Sequence, residues 1–182
     1  MDFFYNQLKK IDVGLQTREF LWKVSHCGLP VGEIRRLWDG VRANEVNCVL
    51  CSRPNQLESF HHLFLDCTEV VKIYDLFRII RSDNFKKEVY LNGDDLESYN
   101  FWAKALIKHE IWLYRNKLVF DKDRYNFLAL KIMITKCFQK ELSIQWYKLK
   151  PNVDHFREKF IRYPFRININ QKDEVDVLVN FL

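Results

Sequence analysis

Four residues of metal-binding types lie within one short stretch of the chain, and their spacing indicates a metal site. They are Cys48, Cys51, His62 and Cys67, in the order C-x2-C, ten residues, then H-x4-C. Thiolates and imidazole are ligands that tetrahedral Zn²⁺ prefers, and three Cys with one His form a known closed structural set. Two unrelated pairs of core cysteines would supply the same residues, but the spacing favours one ion. We therefore predict a structural Zn²⁺ rather than a catalytic one.

The predicted metal has a clear task in folding. By composition, we judge the apolar side chains between residues 48 and 67 too few to hold this loop, so we expect zinc to hold it. Structural zinc contributes on the order of 10–16 kcal/mol of apparent binding energy in small fingers. We predict that this loop unfolds without metal while the rest of the chain stays folded.

Cysteine use and apolar runs bear on where the protein works. The chain has five cysteines, an odd number, and if four of them bind zinc or share its environment the pattern fits a reducing compartment, with Cys27 expected in the core and Cys137 on a helix. The chain shows no run of about 18 apolar residues and no signal-peptide pattern at its start. These features predict an intracellular protein, cytoplasmic or nuclear, without a membrane partner.

The elements that must position the four ligands read as mostly α-helical. Apolar residues recur at helical spacing, and Gly, Pro and polar clusters separate the segments. The short helix over 58–65 carries His62, and a polar connection covers 82–94. The predicted helices span residues 17–26, 31–39, 58–65, 68–81, 95–119 and 125–148.

The end of the chain alternates apolar and polar residues over 166–170 and 175–179, which is typical of two short strands. The sequence thus divides into three segments: N-terminal helices with the zinc-binding module over 1–82, a long helical pair over 83–150, and a C-terminal extension over 151–182. The predicted fold class is mostly α, a helical domain with a small zinc-stapled knuckle and a short C-terminal β-hairpin.

Positive charge is concentrated in one part of the chain. Residues 101–150 hold eleven Lys/Arg and four Asp/Glu, a net charge of +7, which leaves −2 for the remainder. At about 100° per residue, four cations of the long helix fall within roughly 40° of one another. This stripe predicts contacts with nucleic-acid phosphates, although an ordinary solvated helix face would look the same. Its residues are Lys104, Lys108, Arg115 and Lys122.

Arginines also flank the metal ligands in sequence. Arginine at the rim of a zinc module, with an aromatic ring such as Trp38 or Phe60 stacking on bases, is suited to RNA or single strands. The alternative is that both rings lie in the core and the arginines only solubilise the surface. The four arginines are Arg35, Arg36, Arg42 and Arg53.

The chain reads F-L-W-K over 20–23, L-P over 29–30, C-V-L-C over 48–51, E-S-F-H-H-L-F-L-D-C over 58–67 and I-W-L-Y-R-N over 111–116. Together with Phe120, these stretches resemble the zinc-binding domain that follows the reverse transcriptase in non-LTR retrotransposons. Members of that family typically read F-L-W-R, a later L-P, C-x2-C, E-[ST]-x2-H-L-F-x2-C, and a helix with I-W, R-N and F. The resemblance covers roughly residues 17–120, and its specificity lies in the order and spacing of the motifs. The matching stretches are 20–23, 29–30, 48–51, 58–67, 111–116 and Phe120.

The resemblance implies a role beside a polymerase. It assigns His62, and not His61, to the metal, and it implies an accessory domain that engages template RNA or target DNA. No polymerase or endonuclease motif occurs in these 182 residues, so we expect no catalysis. His109 and Asn116, near the apolar side of the long helix, are expected to form internal hydrogen bonds.

Three alternatives stay open at this point. The chain could be a structural or protein-interaction module that docks on a reverse transcriptase core, a relic of a decayed element, or a zinc nuclease that would need a second metal site. An exposed apolar patch would favour the docking module, whereas a continuous positive surface from the zinc ligands to Lys122 would favour nucleic acid.

Overall fold

A computed structural model of the protein describes residues 8–9, 11–38, 40–51, 53–80, 99–150, 152–160, 165–169 and 175–179. It confirms the mostly helical fold class. The described α-helices are α1 (Leu15–Ser25), α2 (Gly32–Arg35), α3 (Thr68–Leu76), α4 (Tyr99–Phe120), α5 (Phe127–Leu149) and α6 (Val153–Phe160). A 3-10 helix spans Ala43–Val46, and a π-helical turn spans His62–Asp66.

Helix α4 lies at the centre of the fold. Helices α1 and α5 pack against it, and α6 packs against α5. Aromatic rings fill the junction: Trp102 of α4 lies edge-on to Phe138 of α5 and Phe160 of α6, with ring centroids 5.4 and 5.2 Å apart, and Phe77, which follows α3, stacks on Phe138 at 5.3 Å. One hydrophobic core cluster therefore joins α3, α4, α5 and α6.

The first two helices differ in detail from the sequence prediction. Helix α1 begins at Leu15 rather than at residue 17, and Thr17 lies buried in its first turn. Helix α2 ends at Arg35 and continues as tight turns, in which the N–H groups of Leu37 and Trp38 donate to carbonyls three residues earlier. Leu37 and Trp38, which fall within the predicted helix over 31–39, lie in these turns and are exposed.

The C-terminal alternation forms strands, as predicted. Strand β1 (Phe165–Ile169) pairs antiparallel with β2 (Val175–Val179), and Phe165 lies opposite Val179. The backbone of β2 runs alongside α5. The predicted connection over 82–94 and the expected start of the long helix at residue 95 lie outside the described residues.

None of the described helices combines the length and apolarity needed to cross a membrane.

Candidate metal centre and nucleic-acid surface

The four predicted metal ligands come together in space. One ligand atom from each of Cys48, Cys51, His62 and Cys67 lies within 4.8 Å of the others. The Cys48 and Cys67 Sγ atoms are 3.8 Å apart, and Cys51 Sγ is 3.5 Å from His62 Nε2. Three of the residues are buried and Cys51 is half-buried. This cluster could bind a metal ion.

The described residues 46–51 and 53–58, which we call the knuckle hairpin, present the first two cysteines. The Cys48 N–H donates to the Gln56 carbonyl at 2.8 Å, and the Glu58 N–H donates to the Val46 carbonyl at 3.0 Å. Asn55 adopts a positive φ of 58° at the turn, a conformation that asparagine tolerates better than most residues. Two short extended segments thus hold Cys48 at a fixed place beside the turn that carries Cys51.

A π-helical turn explains how His62 and Cys67 reach the same point. In a regular α-helix, residues five apart are separated by about 140° around the axis and face different directions. Here the Cys67 N–H donates to the His62 carbonyl at 2.7 Å, which closes one turn over five residues. The two ligands therefore lie at the start and end of a single turn, as the H-x4-C spacing requires.

Charge on the sulfur atoms favours a cation at the site. The Cys48 thiol beside it lowers the pKa of Cys67 to about 4, with smaller help from His62 and from the backbone N–H groups at the start of α3, although no side-chain cap hydrogen bond forms there. The same hydrogen bond, and then burial, raises the pKa of Cys48. Without a cation, one thiolate thus disfavours the second; a bound metal ion would stabilise both.

The knuckle hairpin is tied to α4 by a fully buried ion pair. Arg115 Nη2 donates to Glu58 Oε1 at 2.5 Å, and Arg115 Nε donates to the same carboxylate at 2.9 and 3.2 Å. A second donor of the guanidinium reaches the Pro30 carbonyl at 3.2 Å, while the Gly32 N–H donates to Glu58 Oε1 at 2.9 Å. The guanidinium also lies over the Trp112 ring, 4.9 Å from its centroid.

Gly32 allows this network to close. A Cβ atom built on Gly32 would collide with the Val46 carbonyl and press against the Glu58 side chain at 3.0 Å. The backbone at Gly32 can approach the knuckle hairpin only because it carries no side chain.

The predicted basic stripe on the long helix is wrong for three of its four residues. Lys104, Lys108 and Arg115 are 2%, 1% and 0% exposed, so they cannot contact phosphates on the surface. The three side chains share one face of α4, as the spacing of 100° per residue predicts. That face is buried as well, and Arg115 forms an ion pair with Glu58. Only Lys122, just after the helix, is exposed.

The arginines near the metal ligands divide in the same way. Arg35 is 9% exposed and donates to the Glu45 carbonyl at 3.2 Å, so its prediction as a phosphate contact is also wrong. Arg36, Arg42 and Arg53 are exposed, and Arg42 lies 3.9 Å from Glu45 in an i,i+3 pair. These three side chains are accessible to a partner.

Trp38 and Phe60, the two rings considered for base stacking, differ in their exposure to solvent. Phe60 is buried in the core, 6.3 Å from the Phe64 ring, as the packing alternative proposed. Trp38 is half exposed. Sequence periodicity did not separate them because the turn after α2 departs from the helical period.

The remaining polar predictions concern histidine, asparagine and cysteine. Thr17 Oγ1 and His109 Nδ1 are 3.0 Å apart, and Asn116 Oδ1 accepts from Arg115 at 3.1 Å, so both predicted internal hydrogen bonds are confirmed. His61 lies outside the metal cluster, exposed and 2.6 Å from Asp66. Cys27, expected in the core, is exposed.

Sequence reasoning missed other exposed cations. Lys117 on α4 and Lys136 and Lys140 on α5 are exposed, and the excess of Lys and Arg in 101–150 was their only signal. In the described part of the chain, no second group of three or more His, Cys, Asp or Glu could hold a metal ion.

Comparison of the chain with protein-family models, with curated proteins and with solved structures gives no match. The resemblance to the retrotransposon domain therefore depends on the sequence motifs alone.

Proposed function

We propose that the chain is a non-catalytic, zinc-stabilised helical domain, of the kind that follows a reverse transcriptase in non-LTR retrotransposons, and that it binds nucleic acid. The observation that carries this proposal is the spacing of the four metal ligands. For tetrahedral Zn²⁺, bond lengths of about 2.3 Å to sulfur and about 2.0 Å to nitrogen give S···S edges of about 3.8 Å and S···N edges of about 3.5 Å. Two of the six separations match these edges, Cys48–Cys67 at 3.8 Å and Cys51–His62 at 3.5 Å, and all four ligand atoms lie within 4.8 Å of one another.

Zinc at this site would be structural. Three thiolates and one imidazole complete a tetrahedron, and no coordination position is left for water or substrate. Its chemistry is to neutralise the thiolates and to fix the knuckle hairpin against the π-helical turn. Each of the two pairs of ligands comes from one of these elements, so the ion would cross-link them.

The same motifs that support the family resemblance also support each other in space. Pro30, Glu58, Arg115 and Asn116 belong to three separate motif stretches, and one buried hydrogen-bond network contains all four. Motifs that a family keeps in order would be expected to meet in this way if the fold depends on them. Their convergence favours the resemblance over a chance match.

Nucleic-acid contact would fall to the exposed cations. Arg36, Arg42 and Arg53 flank the metal cluster in sequence, and Lys122 follows α4. Lys and Arg contacts to phosphates position a nucleic acid without reading its sequence, and they weaken as salt displaces them. The expected ligand is template RNA or target DNA, inside the cell, with a reverse transcriptase core as a neighbour.

The test combines metal content with binding. We expect one zinc per chain in the wild type and none in Cys48→Ser, with Cys27→Ser as the matched control because Cys27 is exposed and outside the cluster. Binding of labelled RNA and single-stranded DNA, titrated at two salt concentrations, should weaken at the higher salt and should weaken further in Arg53→Ala. One zinc without any binding would contradict the nucleic-acid part of the proposal, and no zinc would contradict it entirely.

A second candidate is a protein-docking module, and one observation favours it. Leu37, Trp38 and Phe120 are 75%, 50% and 58% exposed, more than large apolar side chains usually are. Because Lys104, Lys108 and Arg115 are buried, no continuous positive surface joins the metal site to Lys122 through α4. A polymerase core could cover these apolar residues.

A further inference from the structure

A groove on the surface of α1, which we call the α1 groove, brings an aromatic ring together with several cations. It has a volume of about 450 Å³, and Lys9, from the segment before α1, lines it. The lining residues that α1 itself contributes recur at positions i, i+3, i+4, i+7 and i+8, which is one face of a helix. They are Leu15, Arg18, Glu19, Trp22 and Lys23.

Trp22 supplies the aromatic ring of the α1 groove. Its neighbours Phe20 and Leu21 are buried in the core, whereas Trp22 is 41% exposed. The His26 ring stacks on the indole with centroids 4.5 Å apart, and His26 is not among the described residues that line the groove. The indole is therefore held on one face by His26 while it also borders the groove, where a nucleobase would find a ring to stack on.

Arg18 lines the same groove with most of its hydrogen-bond donors unused. Its Nε donates to the Val13 carbonyl at 3.1 Å, which fixes the position of the guanidinium. Within the described part of the chain, the two Nη atoms of Arg18 have no acceptor. A guanidinium binds phosphate through parallel N–H groups, so these free donors are suited to a phosphate in the groove.

The charge of the α1 groove favours a polyanion. Its described lining residues carry three positive charges, on Lys9, Arg18 and Lys23, and one negative charge, on Glu19, which gives a net charge of +2. Lys23 is exposed, and no carboxylate of the described residues lies within ion-pair distance of its ammonium. An acidic peptide would use these cations alone, whereas a single strand would use the cations for its phosphates and the ring for a base.

We propose that the α1 groove binds single-stranded RNA or DNA, with one base stacked on Trp22 and the neighbouring phosphates held by Arg18 and Lys23. The inference rests on the proposed function, because it names a surface through which the domain would bind nucleic acid. A preference for single strand over duplex follows, since the bases of a duplex are stacked inside it and its outer surface is phosphate.

The experiment titrates a labelled oligouridylate, a labelled oligothymidylate and the duplex of each with its complementary strand at several salt concentrations, and repeats the titration with polyglutamate as competitor. The chain, purified with zinc, is compared as wild type, Trp22→Ala, Trp22→Phe, Arg18→Gln and Lys23→Gln. Two matched controls change exposed residues of α5 outside the groove, Tyr147→Ala for the ring and Lys140→Gln for the cations. Far-ultraviolet circular dichroism checks that each variant is folded.

We expect Trp22→Ala to weaken single-strand binding by roughly 5- to 100-fold, the usual effect of losing one stacked base, without changing its salt dependence. Trp22→Phe should recover much of this loss because it keeps a ring. Arg18→Gln and Lys23→Gln should each reduce the slope of log affinity against log salt concentration by about 0.7. Both control variants should bind as the wild type does, and the wild type should bind duplex more weakly than single strand.

A folded Trp22→Ala that binds as tightly as the wild type, or no more weakly than Tyr147→Ala, would overturn the α1 groove as the binding surface while leaving salt-sensitive nucleic-acid binding intact. Equal wild-type affinity for duplex and single strand would overturn the stacking of a base on Trp22. Polyglutamate that competes as well as an unlabelled oligonucleotide would make the groove a general site for polyanions and overturn its assignment to nucleic acid. A wild type that binds neither single strand nor duplex would overturn both this inference and the proposed function.

Discussion

The knuckle hairpin and the helical core lie in one chain but are stabilised by different forces. Around Trp102, the core is held by rings from three other segments that pack at 5.2 to 5.4 Å. The knuckle hairpin buries only a few apolar side chains, Val46 and Leu50 among them, and its other contacts are a few backbone hydrogen bonds and the buried Glu58–Arg115 ion pair. We therefore expect packing to be sufficient for the core, and the hairpin to depend on a metal ion at the Cys/His cluster.

The structure also narrows the part of the chain whose folding we expect to depend on the metal. The sequence suggested that the whole loop between residues 48 and 67 lacks apolar side chains. In the structure, Phe60, Leu63, Phe64 and Leu65 are buried, and Phe64 lies edge-on to Phe20 of α1 with centroids 6.1 Å apart. The π-helical turn thus belongs to the core by packing, although it supplies two metal ligands.

The largest expected effect comes from removing the metal. Chelation, or Cys48→Ser, should remove most of the protection of backbone amides over 46–58 against hydrogen exchange, because structural zinc contributes on the order of 10–16 kcal/mol in small fingers. Amides over 101–118 and 130–146 should keep their protection. Exchange read by mass spectrometry measures both regions at once, with Cys27→Ser as the control. Helices that lose protection together with the hairpin would show that the two regions are not independent.

The next largest effect is expected from breaking the ion pair that links the knuckle hairpin to α4. Arg115→Met leaves the Glu58 carboxylate buried without its partner, and breaking a buried ion pair in this way typically costs about 3–5 kcal/mol. Arg115→Lys should recover little of this, since an ammonium cannot donate in the same bidentate geometry. Urea unfolding of the zinc-loaded protein gives the free energies, and Lys117→Met, an exposed neighbour on the same helix, is the control. Equal stability of the Arg115 and Lys117 variants would show that the pair is dispensable.

A smaller effect concerns the core alone and depends on pH. Burial lowers the pKa of His109 to about 4 from an ordinary value of 6.5. The unfolded chain therefore takes up a proton near pH 6.5 while the folded chain does not until about pH 4. The stability from keeping this imidazole neutral is fully present above pH 6.5 and is lost as pH falls toward 4.

His109→Gln removes this titration and should flatten the fall in unfolding free energy between pH 7 and pH 4 by up to about 3 kcal/mol, from a shift of this size. Urea titrations of wild type and variant, compared as differences, cancel the loss of metal at low pH that both share. His155→Gln, at an exposed histidine of α6, should leave the wild-type slope unchanged. Parallel pH profiles for His109→Gln and the wild type would refute the role of burial.

The smallest effect on stability is expected for the exposed Arg36, in comparison with its buried neighbour Arg35. Arg36→Ala should change the unfolding free energy by no more than about 0.5 kcal/mol, because Arg36 is exposed. Arg35→Ala should cost more, since it removes the hydrogen bond to Glu45 and the support under Phe120. In nucleic-acid binding, by contrast, we expect an effect of the exposed Arg36. Arg36→Ala should reduce the slope of log affinity against log salt concentration by about 0.7 for a single strand. A salt slope that Arg36→Ala leaves unchanged would exclude Arg36 from the interface.

The sequence by itself predicted the four residues of the candidate metal site, the helical class and the positions of the strands. Cys48, Cys51, His62 and Cys67 could be assigned because a tetrahedral ion restricts residue type and spacing in a way that is readable along the chain. Long helices and alternating strands were readable for a similar reason, since their periods of 3.6 and 2 residues are local properties.

Only the tertiary structure decided which charged and aromatic side chains face solvent. Periodicity places Lys104, Lys108 and Arg115 on one face of α4, but whether that face is covered depends on elements far away in sequence, and Glu58 is 57 residues from its partner Arg115. Likewise, Arg35 and Phe120 are 85 residues apart in the chain, yet the Arg35 guanidinium lies over the Phe120 ring. Exposure is a property of the whole packing arrangement, so no local pattern could have supplied it.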